Sequence, residues 1–68
     1  MTNNFIKLTS DNKTVMLNAM FIEAIEELEN GTCISMSLNT NRIYRVEETV
    51  AQVMKKIDET GTFKTILK

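Results

Sequence analysis

Two adjacent carboxylate pairs, Glu26-Glu27 and Glu47-Glu48, come nearest in this chain to residue types at a spacing that does chemistry. A general acid and a general base for glycoside cleavage need two carboxyl groups facing each other across the scissile bond. Neighbouring glutamates on a strand point to opposite faces instead. The pairs therefore read as surface charge, one beside a turn and one before a helix start, where Glu47 and Glu48 suit the positive end of the helix dipole. The chain contains no histidine, so no Ser-His-Asp set can be assembled from its serines. Cys33 is the only cysteine. One thiolate without histidine makes neither a common zinc site nor an intrachain disulfide. With no neighbouring cation or helix start to lower its pKa, Cys33 reads as a small buried hydrophobe in a reduced, intracellular setting. Gly31 and Gly61 stand singly in turns and form no phosphate-binding loop. These residues point away from an enzyme, and no cofactor or metal is expected.

Binding chemistry is bounded by charge. Eight Lys and Arg against nine Asp and Glu leave a net charge of −1, which exerts no global pull on nucleic acid or an anionic membrane. Lys7, Lys13, Arg42 and Arg45 are spread over strands that could share a sheet face, and Tyr44 lies near them. Sheet-based nucleic-acid binders, however, interleave several aromatics with a clear basic excess. Of Phe5, Phe21, Tyr44 and Phe63, three are expected in the core or an interface. The longest unbroken apolar run, the four residues Ala19 to Ile22, falls far short of the roughly twenty needed to span a bilayer. The start, MTNNFIK, has no signal-peptide layout. A cytoplasmic protein without a membrane span is expected. At 43% apolar residues the composition is that of a folded domain rather than a disordered chain.

The elements that must position these residues follow from periodicity. The 68 residues form one small domain, with a core over about 5–60 and a tail at 62–68. Phe5 to Thr9 and Thr14 to Leu17 are short extended runs around Ser10-Asp11-Asn12-Lys13. They predict a hairpin with Ile6 and Leu8 opposite Val15 and Leu17 on the inward face, and Lys7, Thr9 and Thr14 outward. Thr32 to Leu38 alternates with period two: Ile34, Met36 and Leu38 face one way, Cys33, Ser35 and Ser37 the other. After the turn at 39–41, Arg42 to Val46 alternates again, with Tyr44 and Val46 on one face and Ile43 and Arg45 on the other. The period then changes. Thr49 and Gln52 form a capping-box pattern, Val50, Val53, Met54 and Ile57 form an apolar stripe, and Gly61 suits a C-terminal cap, so a helix is predicted over about 50–60 with Gln52, Lys55, Lys56 and Glu59 solvated.

The stretch LNAMFIEAIEEL, residues 17–28, is ambiguous. Phe21, Ile22, Ile25 and Leu28 fall on one stripe of a helix together with Ala24. As a strand, the same residues place Phe21 and Ile25 on one face and Ile22, Ala24 and Leu28 on the other. Context decides for the strand: with Ile22 to Leu28 extended, Asn30-Gly31, a dipeptide that tolerates positive φ at both positions, becomes a hairpin turn joining it to Thr32 to Leu38. Because Ile22 and Ile25 break strict alternation, a bulge or turn is expected near Asn18 to Phe21, with Glu23, Glu26 and Glu27 at least partly wet.

Self-association is the interaction these features favour. Five methionines supply adaptable apolar surface, and edge strands without proline invite pairing with another copy. The tail, with Phe63, Ile66 and Leu67, has no place in a core already filled. It is either an extra strand or a docking arm. Phe63, Ile66, Leu67, Met16 and Phe5 are the candidate interaction residues.

In sequence order, FIKLTSDNKTVMLNAMFIEAIEE and GTCISMSLNTNRIYRVEETVAQVMKKI resemble the FlbD/SwrD family of small flagellar-operon proteins. The likeness runs through Ile6 to Thr9, Leu17-Asn18, Ile22 to Glu27, Thr32 to Leu38, Tyr44 to Val46 and Thr49 to Ile57. Ala19 stands where that family usually has proline, and Asn39 to Asn41 where it has a glycine turn. The resemblance implies a non-enzymatic accessory protein of bacterial or phage type with a motility-related role. From Ile22 to Phe63 the chain also partly resembles LytTR-type DNA-binding domains, which would imply a nucleic-acid-binding regulatory module. The His-Arg-Ser segment of that family is absent after Phe63. The expectation is an α+β domain: a four- to five-stranded antiparallel β-meander with one C-terminal amphipathic helix packed on one face. It would act as a protein–protein interaction module and homo-oligomer.

Overall fold

In the computed structural model, which describes residues 4–37 and 42–61, the chain is an α+β fold of five antiparallel strands and one C-terminal helix. The strands are β1 (Phe5–Ser10), β2 (Lys13–Asn18), β3 (Ile22–Leu28), β4 (Gly31–Met36) and β5 (Ile43–Val46), and the helix is α1 (Val50–Glu59). They form two sheets rather than one meander: β1 pairs with β2, and β3, β4 and β5 form a three-stranded sheet in that order. The separation has a local cause. A 3-10 turn at Ala19–Phe21, capped by the Asn18 side chain on the Met20 amide, buries Ala19 and redirects the chain. β3 is thereby turned away from β2.

The β1–β2 hairpin has the expected register, Ile6 opposite Leu17 and Leu8 opposite Val15. Its two-residue loop places Asp11 and Asn12 at φ of 53° and 63°. Short polar side chains tolerate this left-handed region better than most, and the twist of such a loop matches that of the strands.

β3 resolves the ambiguity of residues 17–28. The pairing of β3 with β4 shifts by one residue between Ile22 and Ala24, so that Glu23 is the extra residue of a bulge. A bulge reverses the face parity of everything before it. Ile22 and Ile25, three apart, therefore both pack against the core, although a regular strand would have sent them to opposite faces. The helix-like spacing in the sequence is the imprint of the bulge. As expected, a turn occupies the preceding residues, and Glu23, Glu26 and Glu27 are exposed.

The second hairpin is displaced by one residue from the Asn30-Gly31 turn expected from the sequence. Leu28 pairs with Gly31, leaving Glu29 and Asn30 as the loop, and of these turn residues only Gly31 has positive φ, at 133°. The core selects this register. It sets Ile25 opposite Ile34, which is wholly buried; a turn at Asn30-Gly31 would have set Glu27 there. Gly31 also lies flat against β5, where an added Cβ would collide with the Val46 carbonyl oxygen.

α1 carries the expected capping box, in which Thr49 Oγ1 accepts from the Gln52 amide at 3.1 Å and Gln52 Oε1 from the Thr49 amide at 2.9 Å. Past its C-terminus Gly61 adopts φ 81° and donates to the Asp58 carbonyl. Gln52, Lys55 and Glu59 are exposed and Lys56 is half-buried. One core unites both sheets with the helix: Ile6, Leu8 and Leu17 from the hairpin, Ala19 from the turn, Ile34 and Val46 from the larger sheet, and Val53 and Ile57 from α1. The helix thus closes the inner faces of both sheets, not one.

Candidate interaction surface

The surface is best built from the hydrogen-bonding alternation of the hairpin. A two-residue loop makes its flanking residues, Ser10 and Lys13, a hydrogen-bonded pair, and bonded pairs then recur at every second position. Leu8 with Val15 and Ile6 with Leu17 are bonded. The backbone groups of Lys7 and Thr9 on one strand, and of Thr14, Met16 and Asn18 on the other, turn outward to the two edges. The contacts of Thr9 agree with this geometry.

The β1 edge is closed at Thr9 by the bend after β5. The Glu47 amide donates to the Thr9 carbonyl at 2.8 Å, and the Thr9 amide donates to Glu48 Oε1 at 2.9 Å. Ser10 Oγ donates to the Arg45 carbonyl and the Asn12 amide to Glu47 Oε2. Thr32, wholly buried in β4, donates its hydroxyl to the Glu48 carbonyl at 2.7 Å. The adjacent glutamates are thus a clamp that fastens the hairpin to the larger sheet. Burial works against the Glu48 charge, but bonds from the Thr9 and Glu48 amides and the Thr9 hydroxyl, with Lys56 nearby, outweigh it and hold this carboxyl below its ordinary pKa.

The β2 edge is different. Among the described residues β2 pairs only with β1. On the outer face beside this edge Phe5 is 50% exposed and Met16 49%. Phe5 lies opposite Asn18 and Met16 opposite Lys7, so the two are diagonal neighbours across the hairpin. Met20, 53% exposed, lies in the 3-10 turn that follows β2, its sulfur 3.0 Å from Asn4 Nδ2. Phe5 and Met16 give the outer face of the hairpin an exposed apolar pair; Met20 is not among the sequence candidates, because its place in an apolar run gives no sign of its exposure. Phe63, Ile66 and Leu67 lie outside the described residues.

The remaining exposed apolar side chains are scattered. Ile43, 64% exposed, stands on the outer face of the larger sheet in a row with Ser35 and Ala24. Cys33 shares that face between Arg45 and Glu26 and is half-buried there, contrary to its expected place in the core: the alternation that buries Thr32 and Ile34 turns Cys33 outward. Of the aromatics, Phe5 and Phe21 are exposed, whereas Tyr44 is half-buried and packs against the core. Lys7 and Lys13 belong to the hairpin, Arg42 and Arg45 to the other sheet or its approach, where an Arg42 Nη donates to the Tyr44 hydroxyl at 3.4 Å.

Among the described residues no three His, Cys, Asp or Glu side chains are placed to hold a metal ion, and no helix is long and apolar enough to cross a membrane. The depressions are open and charged, one of about 380 Å³ being lined by Glu48, Gln52, Lys55, Lys56 and Glu59. In comparisons with known proteins, no family model, no curated protein and no solved structure matches the chain.

Proposed function

We propose that this chain is a small non-enzymatic protein–protein interaction module of the cytoplasm that acts as a homo-oligomer, an accessory factor of the kind found among motility proteins. The observation that carries the reading is the exposed pair Phe5 and Met16 on the outer face of the hairpin, with a strand edge that has no partner among the described residues. Single exposed apolar side chains are normal, but a pair beside an open edge is a surface suited to another chain. The motility role rests on the resemblance to small flagellar-operon proteins alone.

Sedimentation at micromolar concentration tests the oligomer: a mass above the 7.8 kDa of one chain is expected, and a mass of one chain removes that part of the proposal. Gel-shift with duplex DNA at low and high salt tests the rival regulatory module. A binding constant that falls steeply with salt would overturn the accessory reading.

A further inference from the structure

We infer that β2 is the contact strand of a twofold dimer, in which β2 of a second copy lies antiparallel to it with the axis at Met16. This rests on the homo-oligomer reading above and specifies its surface.

The backbone groups of Thr14, Met16 and Asn18 face away from β1, as the hairpin register dictates. With the axis at Met16, these three positions meet Asn18, Met16 and Thr14 of the second copy. The outward amides and carbonyls of Thr14 and Met16 and the amide of Asn18 then pair at once, the Asn18 carbonyl being the acceptor that opens the 3-10 turn. Lys13, the strand's only charged side chain, falls opposite Ala19 of the second copy, so no like charges meet. On the outer face Phe5 and Met16 of both copies become one apolar band across a four-stranded sheet.

The other edges are worse suited. β1 is closed at Thr9 by Glu47 and Glu48, and the Arg45 carbonyl of β5 accepts from Ser10. Among the described residues β3 is open on one side, with the backbone groups of Ile25 and Glu27 turned outward by the same alternation. Pairing these positions antiparallel to themselves allows three registers. The one centred on Ile25 sets Glu23 against Glu27, that centred on Glu26 sets Glu26 against itself, and that centred on Glu27 does the same for Glu27. Like charges directly opposed across a ladder are destabilising, so the acidic strand repels its own copy while β2 does not.

The test is sedimentation equilibrium of the full chain with two variants. Wild type is expected at twice 7.8 kDa. Met16→Lys sets two ammonium groups opposite one another, at backbone separations of about 5.5 Å, and is expected to sediment as one chain with an unchanged circular dichroism spectrum, since Met16 is half exposed. Ile43→Lys, on the other sheet, is expected to keep the doubled mass. Met16→Cys in a Cys33→Ser background should form an intermolecular disulfide on mild oxidation, that separation lying within disulfide reach. A wild-type mass of one chain overturns both the homo-oligomer reading and this inference. A doubled mass that survives Met16→Lys, or that Ile43→Lys abolishes, overturns only the assignment to β2.

Discussion

Thr32→Val exchanges a buried hydroxyl for a methyl at nearly constant volume, and so isolates one hydrogen bond of the clamp between the two sheets. Thr32 is the one buried polar side chain among the described residues, and its bond to the Glu48 carbonyl spans 2.7 Å. Through that carbonyl it fixes the residue whose carboxylate receives the Thr9 amide. Loss of the donor leaves a partly buried carbonyl without its partner, which costs about 1–2 kcal/mol. A domain of 68 residues has a total stability of about 3–10 kcal/mol, so the loss is a large fraction. With a urea m-value of about 1 kcal/mol/M for this size, the unfolding midpoint should fall by about 1–2 M at constant m. Glu48→Ala removes the other half of the clamp, and if the two bonds act as a unit its cost should shrink by about 0.5 kcal/mol or more in the Thr32→Val background. A Thr32→Val midpoint within experimental error of wild type, or strictly additive effects in the double variant, would refute the reasoning that Thr32 orients the clamp.

Gly31→Ala should destabilise by about 1–3 kcal/mol, because φ 133° is hostile to any Cβ and the Val46 carbonyl occupies its space; thermal unfolding should show a drop of roughly 4–8 °C per kcal/mol. The Glu48 carboxyl supplies a pH dependence. Its folded pKa lies below the unfolded value, so its contribution is complete above the unfolded value, about 4.3, and is lost as pH falls through the folded one. The difference in urea midpoint between wild type and Glu48→Gln should accordingly narrow on acidification below about pH 4, and a difference that widens there would contradict the assignment.

Much of the fold was legible because it rests on local signals. Thr49 and Gln52 announce the helix start through a capping box that needs no distant partner, and the alternation of Ile34 with Met36 fixes a face whatever lies beyond it. What was illegible depends on long-range fit. The hairpin turn moved from Asn30-Gly31 to Glu29-Asn30 because Ile25, not Glu27, belongs opposite Ile34, and no local preference encodes that pairing. The division into two sheets depends on Ala19 being small enough to bury in a 3-10 turn. Locally Glu47 and Glu48 signal only charge near a helix dipole, since their strand-edge partners are more than thirty residues away in sequence. Of the candidate interaction residues, the exposure of Phe5 and Met16 follows from simple alternation with the buried Ile6 and Leu17.

The clamp and the open edge are two consequences of one constraint. A two-stranded ribbon is not independently stable, so the hairpin must be fastened to the rest of the domain along one of its edges. The chain fastens β1, using Glu47 and Glu48 to meet the amide of Thr9 and the exposed end of its turn. That choice leaves β2 as the outer strand, and a strand so placed needs charge, a bulge or proline to discourage pairing. β3, one of the two outer strands of the other sheet, has both a bulge and three exposed glutamates. β2 has neither bulge nor proline, and its single lysine lies at the turn end. Of these two strands, β3 therefore carries the features that discourage pairing with another chain and β2 lacks them, a contrast that Met16→Lys tests.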